Sequence, residues 1–286
     1  ALLAWLDIRS QRGKFILRFE DLDPQRCTPE LREQLQRDLE WFGIDWDELQ
    51  IQSQHLEYYA DAMGTLAKHG RLYPCSCSRK EIKAIGKRSP DGGWCYPNTC
   101  RQIPLPPGGW RDVNTSLRIR LDDMPLTIQD QSGNLIEQNP GIEMGDPIAR
   151  RRDGSFGYNL NSIVDDGLAG INRVVRGRDL ISSTPTHWAV QDLLGSPHPT
   201  YRHHFLFLEN HKQKLAKFHG SVGGAELRQH YDADQLVGFI ACAAGLVEFP
   251  EPLLPADLIS DFEWKKVSKE DKLIEWDGSK LAEKDS

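Results

Sequence analysis

Long apolar runs are missing from this 286-residue chain. No stretch approaches the about 18 residues that a membrane helix needs, and the start has no basic, apolar, small-residue leader pattern. A cytoplasmic protein with no membrane partner is therefore expected. An excess of positive charge is missing too: 35 Lys and Arg against 42 Asp and Glu leave a net charge of −7. That balance argues against a protein that simply coats nucleic acid, although local basic patches such as Arg150, Arg151 and Arg152, or Arg118 with Arg120, fit either an RNA grip or a solvated face. Internal repeats and low-complexity tracts are absent, which removes repeat architectures. Cysteine is scarce and uneven. Of six, four lie within Cys75–Cys100, while Cys27 and Cys242 stand alone. Without a secretory leader, such a cluster reads as a metal site in preference to a disulfide framework. What remains, 39% apolar and 27% charged, is ordinary for a globular protein, and the length allows one large domain with smaller appendages. The opening ALLAWLDIRS reads as a helix already under way, so further residues are expected upstream.

The most informative stretch is KFILRFEDLDPQR, residues 14–26. Its apolar start, Phe15 to Leu17, suits a buried strand, and Glu20, Asp21 and Asp23 crowd the exit before Pro24. In parallel sheets, ligands bind at the carboxyl ends of strands, and three carboxylates there suit an ammonium or hydroxyl-bearing substrate. A solvated turn gives the same pattern.

Around it the chain reads as α/β. A buried helix from Leu2 ends at Gly13, and a strand covers Lys14–Phe19. Thr28 and Pro29 then start a helix with Leu31, Leu35, Leu39 and Phe42 at helical spacing, expected to be core, which Gly43 closes. A further helix spans Gln54–His69. Strands are predicted over Ser116–Leu121, Leu126–Ile128, Ile171–Arg176 and Tyr201–Leu208, and Phe156–Val164 reads as a strand or a strand running into a helix, with Asp165 and Asp166 as its exit turn. Thr184 and Pro185 open a helix that Gly195 stops, and Asp234–Leu246 is amphipathic. Asp257–Ser286 is expected to be helical and then frayed.

Residues 74–109 are too rich in Cys, Gly and Pro to build a core unaided, and a metal is a natural staple for such a segment. Cys75 and Cys77 offer one pair of ligands; Cys95, Tyr96 and Cys100 offer candidates for the other. Zinc favours a closed tetrahedron of thiolates, and a reduced, metal-free loop is the alternative.

Taken together, RFEDLDP at 18–24, DGSFGYNLNSIVDD at 153–166, RVVRGRDLISSTPTHWAVQDLLG at 173–195 and KLAKF at 214–218 resemble the glutamyl branch of the class I aminoacyl-tRNA synthetases over nearly all of residues 1–220. The resemblance implies an α/β fold with a Rossmann-type parallel sheet, split by a zinc-bearing insertion and followed by a small helical C-terminal subdomain. Its divisions fall at 1–73 and 153–212 for the two Rossmann halves, 74–152 for the insertion, and 213–286 for the KMSKS-like loop and C-terminal part. The similarity is strongest to short members that lack the large anticodon-binding region and carry zinc on Cys-x-Cys followed by Tyr-x-x-x-Cys. By that analogy the ligands would be Cys75, Cys77, Tyr96 and Cys100, with Cys95 as the rival to Tyr96 because thiolate is the softer partner.

The chemistry so implied is that of a monomeric ligase. It activates L-glutamate with ATP and Mg2+ and passes the glutamyl group to the queuosine base of tRNA(Asp). Glu20 would accept hydrogen bonds from the substrate ammonium, Tyr158 and Arg176 would hold the amino acid, and Lys214 with the catalytic Lys217 would meet the ATP phosphates. The family's opening R-F-A-P-S-P-T-G strand and H-x-G element are not in this sequence, so a chain of this extent is expected to form adenylate poorly, and Ala216 stands where the family commonly has Ser. Two other readings are a fragment of a full glutamyl-tRNA synthetase and an inactive, zinc-stapled RNA-binding paralogue.

Overall fold

A computed structural model describes residues 1–23, 26–209, 213–214 (backbone) and 223–284. Helix α1 (Leu2–Ser10) leads into strand β1 (Ile16–Phe19), helix α2 (Pro29–Trp41), strand β2 (Glu48–Ile51) and helix α3 (Leu56–Lys68). Strand β1 lies parallel to β2 in the register Ile16 to Glu48, as a βαβ unit requires. The Thr28 hydroxyl accepts from the Leu31 amide, so α2 starts where the sequence places it. Its apolar stripe is not core: Leu31 and Leu35 are 42% and 46% exposed, and only Leu39 and Phe42 pack against the cluster around Trp5, Leu6 and Ile44. Helical spacing sets which residues share a face, but not whether another element covers that face.

An antiparallel layer follows. Strand β3 (Leu72–Cys75) and helix α4 (Arg79–Ile85) precede β4 (Ser116–Ile119), the pair β5 (Leu126–Gln129) and β6 (Leu135–Gln138), the short helix α5 (Pro140–Glu143), and β7 (Ile148–Arg150). Strand order is β3-β4-β7, with β5–β6 as a separate hairpin. Leu117, Ile119 and Leu121 from this layer share a core with Met63 and Leu66 of α3.

That core is completed by α6 (Tyr158–Leu168); of the two readings of Phe156–Val164 the helical one holds, the strand being reduced to a single antiparallel bridge of Phe156 with Arg150. Leu160 and Ile163, three apart, both bury on one helical face, at about 1.5–3 kcal/mol each. Gly157 admits the helix against β7, since a Cβ there would lie 2.0 Å from the Ile148 carbonyl oxygen. Strand β8 (Arg173–Gly177), helix α7 (Thr184–Leu194) and strand β9 (Thr200–His204) form the second parallel unit, in the register Arg176 to His203. A cavity of about 720 Å³ is lined by residues of both β1 and β8.

The last segment holds β10 (Phe207–Glu209), β11 (Gln213–Lys214), α8 (Gly224–His230), α9 (Ala233–Ala243), β12 (Lys272–Trp276) and β13 (Leu281–Lys284). It is helical only in its first part. The expected C-terminal helix is instead a hairpin that adds to the sheet through β10–β12 pairing. Asp277 makes the turn by accepting from the Ser279 and Lys280 amides, and Gly278 supplies the positive φ of 99°.

The expected basic patches divide. The Arg118 guanidinium is buried, lies 3.5 Å from the Tyr96 ring centroid, and donates to the Asp146 carbonyl. Arg120 donates to the Arg101 carbonyl, and Arg150 donates to the Val113 carbonyl beside Trp110. These three are structural; Arg151 and Arg152 remain exposed.

Candidate active site and cysteine cluster

Arg176 stands near the carboxyl end of β8, and its fork is largely committed. Nε donates to His203 Nε2 at 3.1 Å, and Nη2 donates to Thr184 Oγ1 at 2.6 Å and to the Leu180 carbonyl at 3.2 Å. Nη1 has no hydrogen-bond partner among the described residues. Tyr158, first in α6 and 39% exposed, lies within electrostatic reach of Arg176, as does Asp166. Its ring centroid is 5.5 Å from that of His187. Burial, with Arg176 and Arg18 nearby, holds the His187 imidazole down to about 3, so it stays neutral and bonds Asn159 at 3.0 Å. The pocket carries charges of both signs, and the open Nη1 edge of Arg176 is the part of it that suits a carboxylate.

Glu20 reaches the same group through Arg18, whose Nη2 lies 3.6 Å from Glu20 Oε1 while Nη1 donates to Asp166 at 2.6 Å. Asp165 and Asp166 are thus not an exit turn. Asp165 is fully buried and accepts from Gln52 at 2.7 Å and Tyr59 at 2.8 Å, with His55 Nδ1 at 2.7 Å, tying α6 to α3. Asp21 is also structural: it accepts from the Ser53 amide at 2.8 Å and hydroxyl at 2.7 Å. Tyr158 and Arg176 lie within electrostatic reach of each other, and Glu20 is linked to them only through Arg18 and Asp166; Arg18, Asp166 and His187 are neighbours that sequence reasoning did not assign to the site. The Asp165–Asp166 pair was a usable signal for Asp166, and the charged RFEDLDP run for Arg18; His187 had none.

Arg176 and Gly177 also line a cavity of about 590 Å³, together with Leu2, Leu3, His204 and Leu206. Lys217 lies outside the described residues. Lys214 is placed by its backbone, opposite Leu208 in β11.

The cysteines gather elsewhere. The sulfurs of Cys75, Cys77 and Cys100 lie within 4.8 Å of one another, and the Cys77 and Cys100 sulfurs are 3.5 Å apart. The Tyr96 hydroxyl joins them, its oxygen accepting from the Cys75 thiol at 3.3 Å and from the Cys100 amide at 3.0 Å. Cys95 turns away: its thiol donates to the Ile142 carbonyl at 3.2 Å. Burial and the neighbouring thiols push Cys77 up to about 12, so ionisation here calls for a cation. Arg118 Nε donates to Cys75 Sγ at 3.3 Å, adding one positive charge against the thiols.

The model of the tRNA synthetases class I (E and Q), catalytic domain, matches residues 1–241. The chain belongs to that family. It is 39% identical to a glutamyl-Q tRNA(Asp) synthetase of Symbiobacterium thermophilum, covering 94% of this chain and 88% of that one. The glutamyl-Q tRNA(Asp) synthetase of Nitratidesulfovibrio vulgaris is 37% identical over 90% and 84%. The fold is that of the family's catalytic domain, as in a glutamate-tRNA synthetase from Elizabethkingia anophelis (TM-score 0.76, 21% identity, 97% of this chain) and a glutamate tRNA ligase from Elizabethkingia meningosepticum (0.73, 22%, 94%). This chain spans 64% and 62% of those two. No helix among the described residues is long and apolar enough to cross a membrane.

Proposed function

We propose that the chain activates L-glutamate with ATP and transfers the glutamyl group to the queuosine base of tRNA(Asp). The observation that carries this reading is the uncommitted Nη1 of Arg176, within electrostatic reach of Tyr158 in a pocket where His187 stays neutral. Arg176 takes the side-chain carboxylate, the Tyr158 hydroxyl orients the amino acid, and Glu20, braced by Arg18, accepts from the ammonium. The α-carboxylate oxygen then attacks the α-phosphorus of ATP and pyrophosphate leaves. A nucleophile of the queuosine base next attacks the acyl carbon and AMP departs. ATP occupies the cavity beside Gly177, and Lys214 and Lys217 are the residues that the family resemblance assigns, with Mg2+, to offsetting its phosphate charge. The names of the relatives favour this acceptor over a terminal ribose.

Zinc on Cys75, Cys77, Cys100 and Tyr96 is a structural staple: three thiolates and a phenolate make a closed donor set with no open position for substrate. In this reading 1–73 and 153–212 are the two halves of the nucleotide fold, 74–152 the inserted zinc-bearing part, and 213–286 the loop and C-terminal part, in a cytoplasmic monomer.

The test is charging with labelled glutamate on tRNA(Asp) containing or lacking queuosine. Label should enter only the queuosine-bearing tRNA and only with ATP. Incorporation independent of queuosine, or none with either tRNA, overturns the proposal.

A further inference from the structure

One partner of Arg176, His203, is itself held by a residue far away in the chain. His203 Nε2 accepts from Arg176 Nε, so its other nitrogen must carry the proton, and Nδ1 meets Asp130 Oδ2 at 2.5 Å. Both side chains, His203 and Asp130, are wholly buried. The Thr184 hydroxyl closes the group, accepting from Arg176 Nη2 and lying 3.2 Å from His203 Nε2. Asp130 opens the turn between β5 and β6, where its carboxylate also accepts from the Ser132 amide at 2.7 Å. The same hairpin grips β9 and the turn before α7, through Gln131 N to the Tyr201 carbonyl and Gln138 Nε2 to the Ser182 carbonyl. Two of the segments that hold Arg176, β9 through His203 and the turn before α7 through Leu180, therefore touch this hairpin. A carboxylate that fixes an imidazole tautomer, and an imidazole that fixes a guanidinium, form a positioning relay of the kind that orients metal-bound histidines.

We propose that His203 is a positioning residue for Arg176, with Asp130 setting its tautomer, and that through it the β5–β6 hairpin sets the affinity for the substrate's side-chain carboxylate. This rests on the reading of Arg176 as the glutamate-carboxylate residue. With the relay intact, Nη1 is presented at a fixed angle. Without it, the Arg176 side chain gains rotamers and its Nε loses its acceptor.

The test compares His203→Gln, whose amide oxygen can accept from Nε, with His203→Met, of similar volume and no such acceptor. Arg176→Ala serves as the control on the underlying reading. Glutamate binding by calorimetry and glutamate and ATP KM in pyrophosphate exchange are measured on the full chain. His203→Met should raise the glutamate KM and Kd about tenfold or more, with ATP KM and kcat within about twofold, and His203→Gln should recover most of the loss. Asp130→Ala should raise the same two constants, by less. The inference is overturned if His203→Met leaves glutamate affinity unchanged while Arg176→Ala abolishes it. It is also overturned if Gln fares no better than Met, or if ATP KM moves with that of glutamate. Should Arg176→Ala itself leave glutamate binding intact, the glutamate reading falls, and the relay proposal with it.

Discussion

The cysteine cluster and the Arg176 pocket both hold groups that ionise out of full contact with water, and they resolve that problem in opposite ways. In the cluster, donors turn inward on one another: the Tyr96 hydroxyl is spent on Cys75 and Cys100, and Arg118 covers the ring from outside. In the pocket, each charged group is braced by a neighbour yet one polar edge is left over, as with Arg176 Nη1 or Glu20 beyond its contact with Arg18. A closed donor set stabilises the fold; a braced but incomplete one binds something that arrives later. Replacements in the first should cost stability, and replacements in the second should cost affinity.

The sharpest way to break this contrast is Cys77→Ala. Metal per purified chain should fall to background, and urea unfolding should show a loss of roughly 3–5 kcal/mol. Full metal occupancy with unchanged stability would erase the distinction. Arg176→Lys should do the reverse, raising the glutamate KM about 100-fold while Tm stays within about 2 °C, because an ammonium cannot reproduce the planar fork held by His203 and Thr184. A matching fall in Tm would make Arg176 a structural residue first.

His187 offers a pH test. Its native imidazole stays neutral down to about 3, whereas an unfolded histidine takes up a proton near its ordinary value of about 6.5. The unfolded chain thus binds the extra proton between those limits, and stability contributed by neutral His187 is lost as pH falls. Between pH 7 and 5, His187→Gln should lose about 2 kcal/mol less than the parent in urea titrations. Parallel losses in the two proteins would show that His187 is not the group that titrates. The smallest effect separates Tyr96 from Cys95: Tyr96→Phe should weaken metal binding about tenfold, while Cys95→Ser should leave it unchanged. The opposite ranking would move Cys95 into the donor set.

Much of this could be read from the chain before folding, and the exceptions share a cause. RFEDLDP, the Tyr158 and Arg176 runs and the Cys-x-Cys…Tyr-x-x-x-Cys spacing are local patterns, so each could be picked out from the sequence alone. The strand β1, the helices α3 and α7 and their stop signals are local too. The failures are all matters of distant contact. Arg118 and Arg150 read as surface charge because their acceptors, the carbonyls of Asp146 and Val113, lie 28 and 37 residues off. Asp165 reads as a turn because His55 and Tyr59 are more than 100 residues away. The β12–β13 hairpin looked helical because its strands are short and charged, and its sheet partner β10 is far upstream. Leu31 and Leu35 show the converse, a good local pattern that no other described element buries.

Gly157 carries a consequence for how this site can fail. Its missing side chain is what lets α6 sit flush on β7, and the very next residue is Tyr158. A single methyl group there must displace the helix start by a distance comparable to a bond length or more. Tyr158 would be carried off line with it, so a lesion that touches no substrate atom would read in an assay as a defect in recognition.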